Sequence, residues 1–381
     1  MILNDALAVL TIDLDAIGEN WRRLAERAAP AECGAAVKAD AYGCGIEAVV
    51  PALGRAGCRT FFTAHVSEGR RARAALDGDG IPGRIFVLNG FHPDAAPLSH
   101  YLDHRLGPVI GSAEELAAWS AAVADLDPAS RPPSALHVDT GMNRLGFPVE
   151  AARLLPPSAL EAAGVAMAMT HLVSAEQPDD PANLRQIAAF DHARERALRS
   201  LPASLANSSG IFLPQRPFHA LVRPGYALYG GNPTPDRPNP MRPVVTLVAK
   251  VLQTRTAPAG ATVGYNGRWT ARRPSRLATL GIGYADGLPI GASGIERPGA
   301  LVYIGDQPCP VLGRISMDLT IVDTTDCPEP IGAGQEVEIL GPHVGVDDLG
   351  RQSGTIGYDI LTSLGRRHVR HYAGDGTSGM R

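Results

Sequence analysis

The chain has 381 residues, is 45% hydrophobic and carries a formal net charge of −4 from mixed signs. This length allows two domains and a sizeable core. No block of basic residues points to nucleic acid or an anionic membrane as partner, and no apolar run approaches the ~20 residues of a membrane helix.

Five cysteines at scattered spacing do not form a disulfide framework, and without CxxC or HExxH no metal site is expected. The first ten residues contain Asp5 but neither Lys nor Arg, so they lack the basic start of a signal peptide. A soluble cytoplasmic protein is expected.

In chain order, Leu7–Leu14 alternates like a strand, and Ile17, Trp21 and Leu24 recur at helical spacing. Short apolar strands follow at Cys33–Lys38, Thr60–Val66, Ile85–Asn89, Gly107–Ile110, Ala135–Asp139, Val165–His171, Leu205–Asn207 and Ala220–Val222. Helical stretches separate them. Ser67 is placed to cap a helix over Arg70–Leu76. Ser112 with Glu115 makes a capping box before Leu116–Val123, and Ala182–Leu198 reads as one long helix charged on one face. Eight strands alternating with helices over about 200 residues fit an α/β fold of the (β/α)8 barrel type, spanning residues 10–235. A doubly wound sheet is the alternative, but it would have fewer strands and an early glycine fingerprint, which is absent.

Asn232–Pro243, rich in Pro and Asn, reads as a linker. Beyond it come β-rich runs at Val244–Thr256, Leu277–Tyr284, Leu301–Ile304, Gln307–Val322 and Glu336–Leu340, with one helix at Tyr358–Leu364. These define a second, mostly β domain over residues 236–381, which an N-terminal strand within residues 1–9 can join.

Polar residues cluster where the barrel strands end. Lys38 closes the first strand, at the mouth of an apolar run, where desolvation disfavours the ammonium and frees the amine to attack a carbonyl. Tyr42, Gly43 and Gly45 follow, before a helix start suited to an anion. Together they suggest a lysine that binds a phosphate-bearing aldehyde, pyridoxal 5'-phosphate (PLP). Taken alone, Lys38 fits a snorkelling surface lysine equally well. The run Asp139 to Arg144 follows strand five, His171 ends strand six, Asn207-Ser208-Ser209 ends strand seven, and Arg223-Pro-Gly225-Tyr226 ends strand eight. Barrel enzymes keep their active sites on this face, with phosphate bound by the last two loops.

These residues carry a family resemblance. Ala-Val-Lys-Ala-Asp-Ala-Tyr-Gly at 36–43 resembles the PLP-lysine motif of alanine racemases. The runs at 138–146 (Val-Asp-Thr-Gly-Met-Asn-Arg-Leu-Gly), 169–171, 206–208, 222–230, 263–265 (Val-Gly-Tyr), 281–287 (Gly-Ile-Gly-Tyr-Ala-Asp-Gly), 313–318 and 355–359 match in order over nearly the whole chain. The resemblance implies a PLP-dependent interconversion of L- and D-alanine, supplying D-alanine for peptidoglycan or consuming it. It implies Lys38 and Tyr265 as the two acid/base groups, with Tyr265 coming from the second subunit of a head-to-tail homodimer. It also implies that Lys38, Tyr42, His171, Asn207, Ser208, Arg223, Gly225, Tyr226 and Tyr358 contact the cofactor. Arg144 and the Met317 backbone would take the substrate carboxylate, and Tyr284 with Asp318 would line a narrow entrance.

One position departs from the pattern. The family usually has a lysine, often carbamylated, two residues before Asp-Thr-Gly; here it is His137. Without that carbamate, Arg144 needs another partner, expected to be a bound anion such as chloride or a nearby carboxylate. Other readings are a racemase of broader or different specificity (serine, lysine), a PLP decarboxylase, against which the absence of that family's cysteine motif and acidic specificity loops counts, and a non-catalytic PLP-binding barrel. The second domain with Tyr265 argues against the last.

Overall fold

The computed structural model describes residues 6–374 and 379–380. The chain divides into two compact units. One comprises Ile17–Leu228 and Asn232–Met241; the other gathers the N-terminal residues through Ala16, Tyr229–Gly231 and the chain from Arg242 onward.

The first unit is a parallel barrel of eight staves. The first stave is split into Glu32–Cys33 and Ala35–Ala36 around Gly34; then come Thr60–Thr63, Arg84–Val87, Leu106–Ile110, Ser134–Asp139, Val165–Met169, Ala203–Ser204 and Leu221–Val222. The split stave closes the ring. Its first half pairs with Leu221–Val222 and its second half with Thr60–Thr63. The Gly34 N–H donates to the Val222 carbonyl at 2.9 Å. A Cβ on Gly34 would lie 2.9 Å from the Thr60 carbonyl oxygen, so this close approach of backbones requires glycine. Thr60–Thr63 and Leu106–Ile110 are buried at every position, as strands covered on both faces are.

The sequence places most staves within two residues of their observed positions. The seventh lies at Ala203–Ser204, upstream of the expected Leu205–Asn207. There the Ala206 carbonyl still accepts the Arg223 N–H from beside the eighth stave, while the Asn207 side chain accepts the Gly210 N–H and turns the chain. The expected Ser67 cap is also displaced. The helix Val66–Gly78 starts from His65, and the Glu68 carboxylate takes the Ala64 and His65 N–H groups at 2.9 and 3.2 Å. Ser112 caps as expected, accepting the Glu115 N–H at 3.2 Å on the helix Ala113–Ala122. The expected long helix is Pro181–Ala193 followed by a separate 3-10 turn at Ala197–Ser200.

The second unit is built on a nine-stranded mixed sheet. Ala8–Asp13 pairs antiparallel with the long strand Val245–Ala257 and parallel with Val369–Ala373. Ser275–Leu280, Leu301–Ile304, Gln307–Pro310, Thr320–Asp323 and Glu336–Leu340 complete the set with Gly379–Met380. The expected single strand Gln307–Val322 breaks in two around Gly313, whose φ of 70° is left-handed. Two short helices, Val346–Gln352 and Gly357–Thr362, follow; the first has no counterpart in the sequence reading. Among the described residues, no helix is long and apolar enough to cross a membrane.

Candidate active site

Lys38 leaves the first stave half-buried. Burial lowers its pKa, the nearby Arg144 guanidinium lowers it further, and Glu68 opposes both. Lys38 is one of two lysines in the chain; the other, Lys250, lies in the strand Val245–Ala257. Next comes an unusual backbone. Ala39, Asp40, Ala41 and Tyr42 have φ of 53°, 56°, 54° and 52°, a full left-handed turn without a glycine. Each such residue costs about 1–2 kcal/mol. Its hydrogen bonds run Ala41 N–H to Val37 O (3.0 Å), Gly43 N–H to Ala39 O (2.8 Å) and Gly45 N–H to Asp40 O (2.8 Å). The turn delivers Tyr42 to a buried position, and burial raises its phenol to about 12, so the hydroxyl stays protonated. The helix start expected to hold an anion is already served by the protein itself. The Asp40 carboxylate accepts the Ile46 N–H at 3.2 Å.

The loops after the last two staves meet Tyr42. A Cβ on Gly225 would lie 2.4 Å from the Tyr42 hydroxyl. Ser208 Oγ accepts the Gly225 and Ala227 N–H groups at 3.0 and 3.2 Å. Tyr226 is buried at the start of a 3-10 turn. Tyr42, Ser208, Gly225 and Tyr226 are thus brought to one place by three separate staves. The Asn207 side-chain oxygen accepts the Gly210 N–H at 2.9 Å. Arg223 is buried, donating to Ser204 Oγ and to the Thr170 carbonyl at 2.6 Å. Burial pulls its pKa down to about 10, which leaves a cation at neutral pH.

Asp139 shapes the loop that carries Arg144, its Oδ1 accepting the Gly141 and Met142 N–H groups at 2.9 and 2.8 Å and its Oδ2 the Asn143 N–H at 2.9 Å. Arg144 itself is exposed on this chain and pairs with no carboxylate among the described residues. His171 is pushed down to about 3 by burial and by Arg223, Arg144 and Lys38; His137 is pushed down to about 4 by burial, Arg223 and Arg144. Both imidazoles are neutral. Lys38, His137, Arg144, His171 and Arg223 thus lie within electrostatic reach of one another near the carboxyl ends of the staves. Sequence reasoning missed Gln186, which is buried and donates to the His171 carbonyl at 2.9 Å and Thr140 Oγ at 3.1 Å. Thr140 and Thr170, whose hydroxyls lie 2.8 Å apart in this network, lie inside the motif runs.

In the second unit Tyr265 opens a short 3-10 turn after Gly264, whose φ is 73°. It is 64% exposed, Tyr284 41% and Met317 54%. Tyr284 and Met317 are held together through the backbone: Tyr284 N–H donates to Ser316 O and Ala285 N–H to Met317 O, both at 3.0 Å. Gly283 permits this, since a Cβ there would lie 2.4 Å from the Met317 carbonyl oxygen. The Asp318 carboxylate accepts from Arg367 at 2.7 Å, and Arg367 also pairs with the buried Asp286 at 3.3 Å. Tyr358 is half-buried on the helix Gly357–Thr362.

Two family models match this chain: the alanine racemase N-terminal domain over residues 12–233 and the alanine racemase C-terminal domain over 244–372. The alanine racemase of Methylobacterium nodulans is 55% identical over 96% of both chains. A catabolic alanine racemase of Mesorhizobium japonicum is 45% identical over 96% of this chain and 93% of its own length. Among solved structures, alanine racemase from Bartonella henselae with covalently bound pyridoxal phosphate superimposes with a TM-score of 0.89 at 39% identity. That match covers 97% of this chain and all of the other. With both domain models matched in order and relatives this similar over almost the full length, the chain belongs to the alanine racemase family.

Proposed function

We propose that the protein interconverts L- and D-alanine with PLP as cofactor. The observation that carries this reading is Lys38, its pKa lowered, at one end of a turn whose other end is Tyr42, against Ser208 and Gly225. The residues fit the cofactor. Gly225 leaves a cradle that a single Cβ would fill, and the Tyr42 hydroxyl, Ser208 and the backbone at Tyr226 offer hydrogen-bond groups for a phosphate. Tyr358 joins the phosphate ligands in this proposal, and Asn207 supports the Ser208 loop.

Bound PLP makes the α-proton of alanine acidic by withdrawing electrons. Racemisation then needs one proton-transfer group on each face of a planar centre. Lys38 serves one face. Tyr265 serves the other, from the partner subunit of a homodimer, a role that its exposure supports. Arg223 would face the pyridine nitrogen of bound PLP, and as a lasting cation it would keep that nitrogen unprotonated, weakening the electron sink and favouring return of the proton to the α-carbon. Neutral His171 adds no charge to this side. Arg144 and the Met317 backbone take the substrate carboxylate, while Tyr284 lines the entrance with Asp318 held back by Arg367. Neutral His137 supplies no negative charge, so chloride holds Arg144 in place of a carbamate. The enzyme works in the cytoplasm. Polarimetry on L- and D-alanine beside serine, lysine and glutamate tests the activity and its specificity.

A further inference from the structure

We propose that Glu68 is a positioning residue for Lys38, its carboxylate bridging the start of the helix Val66–Gly78 and the left-handed turn that carries the lysine. One oxygen, Oε2, accepts the Ala64 and His65 N–H groups at 2.9 and 3.2 Å; the other, Oε1, accepts the Asp40 N–H at 3.3 Å. Both oxygens must therefore be acceptors. A carboxylate meets that demand and an amide does not, because glutamine would turn an NH2 group toward one set of N–H donors.

The turn needs such a hold. Four consecutive L-residues without glycine sit in the left-handed region, and they relax unless surrounding groups fix them. Glu68 grips the Asp40 amide. Arg71, three residues along the same helix face, grips the Asp40 carboxylate at 2.6 Å and the Glu47 carboxylate at 2.6 and 2.7 Å. The helix thus holds the turn by both its backbone and its side chain. Lys38 enters the turn and Tyr42 ends it, so the clamp sets the amine relative to the hydroxyl that faces Gly225. Lys38 also feels Arg144 and His171 from the loops after the fifth and sixth staves, and the Glu68 charge offsets burial and Arg144.

This inference rests on Lys38 being the reactive amine, and its test has a readout that does not need the cofactor. In cofactor-free protein, trace acylation with acetic anhydride across pH, followed by peptide mapping, measures Lys38 against the internal reference Lys250. Glu68→Gln is expected to move the Lys38 midpoint down by ~0.5 pH unit or more. In the loaded enzyme it is expected to lower kcat by ~10-fold or more while changing KM less than ~3-fold. Glu68→Asp keeps the charge but shortens the reach. It is expected to leave the midpoint near wild type while kcat still falls. Arg71→Gln releases the second grip and is expected to lower kcat in the same sense, which keeps the test open if Glu68→Gln does not fold. Wild-type kcat and wild-type Lys38 reactivity in the folded variants, with only a lower melting temperature, reduce Glu68 to a helix cap and overturn the proposal. Failure of the wild-type enzyme to bind PLP at Lys38 instead defeats the functional reading and leaves the acylation result intact.

Discussion

Gly225 and the Tyr42 hydroxyl share a space too small for one added methyl group. A Cβ at Gly225 would lie 2.4 Å from that hydroxyl and 3.3 Å from the Ala36 Cβ. Gly225→Ala must therefore push Tyr42 aside. The expected cost is about 1–3 kcal/mol of stability, as for overpacking a filled core, together with at least ~10-fold weaker PLP binding. Thermal unfolding of the cofactor-free protein and a PLP titration measure the two effects. Tyr42→Phe removes the clashing oxygen, so the double variant should recover part of the stability lost by Gly225→Ala. Wild-type PLP affinity in Gly225→Ala would show that the cradle is not used.

Tyr265 should carry one direction of proton transfer. Tyr265→Phe is expected to lose racemisation by ~10²-fold or more, the usual weight of a general base, while still binding PLP. In deuterated solvent its residual exchange should favour one enantiomer. Mixing Tyr265→Phe with Lys38→Ala subunits should restore activity, because one hybrid site keeps both groups. No recovery after verified subunit exchange argues against a shared site.

His137 makes the fold sensitive to acid. The unfolded imidazole binds a proton near 6.5, whereas the folded one stays neutral down to about 4. Between those values the unfolded state binds more protons, so stability falls as pH drops through that window. The loss attributable to His137 reaches up to about 3 kcal/mol near pH 4. Urea unfolding of wild type and His137→Gln at pH 7 and pH 4.5 isolates it. The variant should lose less stability between the two; equal losses would mean that His137 is not held neutral.

The same residue governs the response to small anions. With no carboxylate paired to Arg144 among the described residues, activity should depend on chloride and be indifferent to bicarbonate. His137→Lys should introduce a bicarbonate response. Activity that rises with bicarbonate in the wild-type enzyme would contradict the loss of the carbamate.

The staves were legible because buried strands and amphipathic helices write their periods into the sequence, and the chemistry followed because polar residues closed those strands. Local patterns stop short of three features. The turn Ala39–Tyr42 is left-handed without glycine, so its sequence gives no conformational signal. Glu68, rather than Ser67, serves the helix start because it meets backbone 28 residues away at Asp40, a contact set by the tertiary fold. Asp318 reads as an open entrance residue until Arg367, 49 residues further on, is seen to hold it.

The two lysines make one experiment decisive. The purified protein should absorb near ~420 nm, and borohydride should abolish that band while fixing PLP to the chain, as a lysine-linked aldehyde cofactor requires. Peptide mapping should then find the pyridoxyl group on Lys38, with Lys250 unmodified, and the same preparation before reduction should erase the optical rotation of L-alanine. Label on Lys250, or racemisation that persists unchanged in Lys38→Ala, would contradict the assignment of this site.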